Sequence, residues 1–177
     1  MKKILVSICA LAFLFSCNTK TETKAAAADT TAKKPMIDLP YTPSFSGNFT
    51  GDVSDADLKM VLMTYKNWEA GNMSALGDEL TDSVDVEFNT GDHFNGTKAD
   101  LLKRWSKTRD SLSSVSISME AWQRSYEPDK KDAAILTWYK EIDTYKMGKV
   151  DSAYYHDING IKDGKLSFYS QYKRPAK

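Results

Sequence analysis

The chain has 177 residues, with 24 Lys+Arg against 24 Asp+Glu, and its side chains are 41% hydrophobic and 11% aromatic. Balanced charge excludes the basic field of a nucleic-acid binder and the acidic excess of a disordered chain, while the apolar fraction suffices for one packed core. The longest apolar run, Ile4 to Phe15, falls short of the roughly 20 residues a spanning helix needs, so a polytopic membrane protein is excluded too.

The run has the length of a signal-peptide h-region, and Met1-Lys2-Lys3 before it is a short basic n-region. It ends at Leu14-Phe15-Ser16-Cys17, which resembles a bacterial lipobox. In that motif the cysteine thiol is alkylated with diacylglycerol, the signal is cut before it, and the freed amine is acylated. Residues 1–16 are therefore expected to be a lipoprotein signal peptide and Cys17 the lipidation site. The membrane would be met through the N-terminal lipid alone, placing the protein in the cell envelope, facing the periplasm. Leu14 and Ser16 fit the pattern; Phe15 is larger than the usual residue there. Cleavage also removes Cys9, so with Cys17 lipidated no free thiol remains. That leaves no disulfide, no cysteine nucleophile and no Cys-ligated metal.

Residues 17–53 read as a tether. Asn18 to Lys34 is Thr, Lys and Ala without apolar period, and Pro35, Pro40 and Pro43 stiffen the remainder of the stretch. The folded domain is expected over 54–177. Ser54 and Asp57 form a capping pair, and Leu58, Val61, Leu62, Tyr65 and Trp68 make one helical stripe that Gly71 ends. Asn72 caps a short second helix carrying Met73, Leu76 and Leu80. Val84 to Phe88 alternates as a strand, Asn95-Gly96 reads as a turn, and Thr97 with Asp100 caps a third helix with Leu101, Leu102, Trp105 and Leu112 on one side. The period then changes to two. Strands are predicted from Val115 to about Tyr126, Ala133 to Tyr145, Val150 to Ile158 and Leu166 to Tyr172, the last pair joined at Asp163-Gly164. This order predicts an α+β fold.

The ordered set of Tyr65 to Gly71, the Val84–Phe88 strand, the Gly96 turn and Asp163-Gly164-Lys165-Leu166 resembles the NTF2-like (SnoaL-like) superfamily. The resemblance implies a cone, with N-terminal helices packed in a curved antiparallel sheet around a pocket. Family members use that pocket for isomerisation, dehydration, cyclisation or hydrolysis, and many relatives only bind ligands or partners; fold alone does not choose. In the family's steroid-isomerase scheme an Asp moves a proton while a Tyr and a neutral Asp hydrogen-bond the oxyanion. Counting without gaps from Gly71 and Gly164 puts these positions on Thr64, Phe88 and His156, and none of the residue types is retained. A slip of one recovers Tyr65 and Glu87.

The residues themselves single out His156, Tyr65 and Glu87 as candidate acid–base groups. Strand parity turns Asp85 and Glu87 away from the apolar Val84, Val86 and Phe88, which favours His156 with Tyr65 as the working pair. The expected ligand pocket is Tyr65, Trp68, Phe88, Tyr154 and His156, suited to a small apolar or aromatic ligand. His93 reads as a loop residue near its mouth. No metal-ligand spacing, phosphate loop or nucleophile motif occurs, so neither a metal nor a cofactor is expected, and no nucleic acid. Residues 133–145 are apolar on both faces, which predicts a homodimer with Tyr139 or Tyr145 near its interface. The leading expectation is a lipid-anchored domain binding a small molecule or protein partner; the alternative is a SnoaL-like isomerase, dehydratase or cyclase with a pocket acid–base pair.

Overall fold

The computed structural model describes residue 40 and residues 49–176. Cys17, the predicted signal peptide and most of the predicted tether lie outside the described residues. Helix α1 (Asp55–Ala70) starts where expected, the Ser54 hydroxyl accepting from the Asp57 N–H at 3.0 Å. It ends at Gly71, which takes φ 72°, a left-handed turn that a side chain would strain. Asn72 caps α2 (Met73–Asp78) by accepting from the Ala75 N–H at 3.1 Å. Strand β1 (Leu80–Glu87) follows, then β2 (His93–Thr97) and α3 (Lys98–Asp110). Thr97 caps α3, taking the Asp100 N–H at 3.2 Å. Four long strands complete the fold: β3 (Leu112–Glu127), β4 (Asp132–Tyr145), β5 (Val150–Lys162) and β6 (Lys165–Pro175). Asp163 and Gly164 both take positive φ, 52° and 72°, the pairing that a two-residue hairpin between right-twisted strands requires.

The strands form one sheet in the order β2-β1-β6-β5-β4-β3. Leu80, expected on the second helix, opens β1, and Leu112, expected on the third, opens β3. Two further expectations, about the sheet, need correction. The sheet is mixed, because β1 runs parallel to β6 (Val86 opposite Tyr169) while every other pairing is antiparallel. The intervening α3 and four strands give the chain length to return in parallel, which a hairpin cannot do. The Asn95-Gly96 segment is strand β2 rather than a turn, paired along β1 from Ser83–Thr97 to Glu87–His93. At Gly96 a Cβ would stand 2.9 Å from the Phe94 ring, so glycine serves close packing there, not a turn.

The sheet folds about α1. Val61, Leu80, Val84, Val86, Leu101 and Ile135 are fully buried between the helices and the inner sheet face. Bulges re-aim side chains along this curve. One between Met119 and Ala121 keeps Met119 and Trp122 on the α1 side and turns Ala121 out; another shifts β5 against β6 at Gly160–Ile161.

A carboxyl-bearing cone as the candidate functional site

The inner face of β4, β5 and β6 is set by alternation. Ile135, Thr137, Tyr139 and Glu141 on β4, and Ala153, Tyr155, Asp157 and Asn159 on β5, are buried beneath the helices. The alternate residues, including Trp138, Tyr154, His156 and Ile158, take the outer face. Helix α1 contributes Thr64, Tyr65 and Trp68, and α3 contributes Arg104 and Trp105. Together with Phe88, Glu141, Asp143 and Tyr169 they line a cavity of about 300 Å³.

The floor of the cone is a hydrogen-bond cluster centred on Asp157, whose Oδ1 is buried without a partner. Asp157 has no exposure, and its Oδ2 accepts from the hydroxyls of Tyr65 at 2.8 Å, Tyr139 at 2.9 Å and Tyr169 at 2.8 Å. Gln171 Nε2 donates to Tyr139 at 3.1 Å and to Tyr169 at 2.6 Å, while Asn159 Nδ2 donates to Tyr65 at 3.1 Å and to the Ile135 carbonyl at 2.9 Å. Burial pushes the Asp157 carboxyl up to about 7, against the pull of the hydrogen bonds from Tyr169, Tyr65, Tyr139 and Gln171. The three phenols are raised well above their ordinary value, chiefly by burial, and stay protonated.

Above the floor stand Glu141 and Asp143, two residues apart on β4 and therefore on one face. Burial, then the neighbouring charges of Asp143 and Asp157, push Glu141 up to about 8. Asp143 is raised as well, again by burial. Asp143 Oδ1 is buried and without a hydrogen-bond partner. Two carboxyls in one poorly solvated site resist ionising together, so the pair retains a proton at neutral pH. At another part of the wall Arg104 lies 4.0 Å over the Phe88 ring and 3.2 Å from Asp92.

Of the residues expected to form the pocket, Tyr65, Trp68 and Phe88 line the cavity. Tyr154 and His156 do not, and the expected facing of β5 is corrected: His156 stacks on Trp138 at 4.6 Å between ring centroids and lies 5.9 Å from Tyr172, all on the outer face. His156 and Tyr65 thus stand on opposite sides of the sheet and cannot act as a pair. Glu87 points outward, as strand parity requires, and accepts from the Ser170 hydroxyl at 2.8 Å. His93 opens β2 rather than a loop and meets Asp85 at 2.7 Å, outside the cavity wall. Among the described residues no cluster of side chains could hold a metal ion. Missed in the sequence were Glu141, Asp143 and Asp157. The parity of Tyr139 was legible; its direction was not.

Solved structures match this architecture closely in topology. An NTF2-like protein from Anabaena variabilis superposes with a TM-score of 0.56 at 15% identity, over 72% of this chain and 96% of that one. The fold is NTF2-like. An epoxide hydrolase of the LEH-like type from M. tuberculosis gives 0.56 at 10% identity, over 67% of this chain and 83% of the other. A candidate ketosteroid isomerase from Kribbella flavida gives 0.52 at 13%, over 70% and 82%. Neither a protein-family model nor a curated protein matches the sequence. At these identities the likeness carries the NTF2-like architecture and nothing of the chemistry.

Proposed function

We propose that the NTF2-like cone binds a small, flat organic molecule and that Glu141 and Asp143 are the groups that exchange protons with it. One observation carries this reading: a carboxyl pair converges with aromatic walls on a cavity of about 300 Å³. That volume lies at the lower end of ligand sites, which suits one or two rings. A carboxyl held near neutrality is a serviceable general acid or base, so a bound substrate with a labile proton could be isomerised, dehydrated or cyclised at the same place. Neighbours named for an epoxide hydrolase and a candidate ketosteroid isomerase share the fold, which accommodates turnover as readily as binding.

The steroid-isomerase arrangement fits less well. A slip of one residue from the ungapped count does bring Tyr65 and Asp157 together, a tyrosine and a carboxyl of raised pKa. An oxyanion site, however, must aim free donors at the reacting oxygen. Here all three tyrosine hydroxyls are turned onto Asp157. The floor supports the site; the pair above it does the work.

Thermal-shift screening of a ring-compound library, followed by calorimetry, tests the reading. Hits should lose up to about tenfold in affinity in Glu141→Gln, a hydrogen bond to a carboxyl that carries its proton being worth about 0.5–1.5 kcal/mol. Hits indifferent to Glu141→Gln and to Asp143→Asn alike would move the site elsewhere. Two parts of the proposal rest on other features. The Leu14–Cys17 sequence supports lipidation of Cys17 and anchoring in the cell envelope, facing the periplasm. The aromatic outer face of β4–β6 supports a homodimer.

A further inference from the structure

We propose that the ligand of the cone is an organic cation, a flat aromatic amine whose ammonium sits against Glu141 and Asp143. This rests on the reading of the cone as a small-molecule site and adds the class of molecule. The first argument is the balance of donors and acceptors on the wall. The hydroxyls of Tyr65, Tyr139 and Tyr169 are given to Asp157, and Gln171 Nε2 is given to two of those tyrosines. The Thr64 hydroxyl donates to the Val61 carbonyl at 2.7 Å, and Asn89 Nδ2 is bonded to Gln171 Oε1. At the carboxyl pair itself, Glu141 is bonded to Asp143 and Trp68, and the capacity left over is acceptor capacity on Asp143 Oδ1. A ligand that completes the site brings donors.

The second argument is charge. No ion pair reaches Glu141 or Asp143 among the described residues. The cations that act on Asp143 are engaged elsewhere: Arg109 donates to the carbonyls of Trp68 at 2.9 Å, Glu69 at 3.0 Å and Leu112 at 3.4 Å, and Lys173 pairs with Asp151 at 3.1 Å. Arg104, the cation on the cavity wall, is held by Asp92 and Phe88. Glu141 is only 9% exposed, and Asp143 Oδ1 has no partner. A carboxyl pair so placed, Glu141 buried and Asp143 half-buried with no ion pair, is costly to ionise fully, and an ammonium would relieve that cost directly. The third argument is the wall itself. Trp68, Tyr145 and Tyr155 line the cavity with Glu141 and Asp143, and aromatic rings attract a cation that a dry site has stripped of water.

Binding is then linked to protons. The groups facing the pair are Tyr139 and Tyr145 on β4, Asp151, Tyr155 and Asp157 on β5, Lys173 on β6, Trp68 on α1 and Arg109 on α3. Burial holds a proton on Glu141 at neutral pH, its carboxyl being pushed up to about 8. An ammonium that docks must displace that proton to solvent. Affinity should therefore rise about tenfold per pH unit from pH 6 towards about 8, then level until the amine itself loses its proton near pH ~10.

The experiment uses the full chain and three probes of one shape: tryptamine as the cation, indole-3-ethanol as the neutral control and indole-3-propionate as the anion. Calorimetry in phosphate and in Tris, whose ionisation heats differ, counts protons. Tryptamine should bind at least tenfold tighter than the alcohol and release close to one proton at pH 7. Glu141→Gln should abolish both the preference and the release, with Asp143→Asn as the second variant if the first fails to fold. Equal binding of amine and alcohol overturns the inference while leaving the small-molecule site standing. Tightest binding of the propionate overturns it as well. Binding of none of the three overturns it too, and library hits of other shapes would then preserve the broader reading.

Discussion

At the scale of single residues, the interior carboxyls make stability depend on pH in an unusual direction. An acid whose folded value is raised binds its proton more tightly in the native state. Stability is then greatest below the unfolded value and is lost as pH climbs to the folded one. For Asp157 that window runs from about 4 to about 7, and for Glu141 from about 4 to about 8. Urea midpoints should accordingly fall between pH 5 and pH 8, by at most about 1.4 kcal/mol per pH unit for each group titrating alone. Glu141→Gln should flatten the upper end of that slope; a wild type equally stable at both pH values would contradict the burial of these groups. His156→Ala, by contrast, should leave the affinity of any cone ligand within about twofold, since the imidazole is stacked on Trp138 on the far face. Tyr65, Trp68 and Phe88 were readable from sequence because a helical stripe and a strand alternation both pointed them inward. Residues of β5 were not, for a physical reason. Outer positions Tyr154 and Ile158 are as apolar as a core, while inner positions Asp157 and Asn159 are polar, so hydrophobicity chose the wrong side.

The elements themselves were far more legible, because their ends carry local chemistry. Ser54, Asn72 and Thr97 each cap the helix expected, and Asp163-Gly164 turns the expected hairpin. What sequence could not give was how one element closes another. The last carbonyls of α1 lack partners within the helix, and Arg109 from α3 supplies them, its guanidinium reaching the Trp68 and Glu69 carbonyls at 2.9 and 3.0 Å. The same group lies where a Cβ on Gly71 would be 3.4 Å away. Arg109→Ala should therefore cost about 2 kcal/mol, since hydrogen bonds from a charged group to buried carbonyls are lost together, and lower Tm by several degrees. It should also loosen Trp68 and so weaken any ligand of the cone, while Arg109→Lys should recover only part of both. Calorimetric melting of the three proteins checks this. Strand β2 escaped sequence reading because its burial alternates weakly and it carries Asn-Gly, a pair that more often signals a turn.

At the scale of the whole molecule, a sheet apolar on both sides needs two covers. The helices cover one side. On the other, the cross-strand register aligns Trp138, His156 and Tyr172 on β4, β5 and β6, with Ile142 and Tyr154 beside them. Tyr172 is 56% exposed and Ile142 36%, a proportion of apolar surface that an unpartnered central sheet rarely presents. Tyr139 and Tyr145, expected near a dimer interface, line the cone instead, so a dimer through this face would use their neighbours in alternation. A second copy is the partner best matched to this face, because an isologous interface sets the same row of rings against itself across a twofold axis. Lys140 and Arg174, 5.8 and 4.8 Å from the Tyr154 ring, would form the polar rim. The expected outcome is a homodimer by sedimentation equilibrium at micromolar concentration, converted to monomer by Trp138→Glu. That substitution places a charge in the aromatic row while leaving the cone untouched, so folding and ligand affinity should persist. The measurement uses Cys17→Ser, which lacks the lipid proposed for Cys17 and should fail to incorporate an alkyne fatty acid. A domain that stays monomeric at high micromolar concentration would leave the aromatic face to another protein.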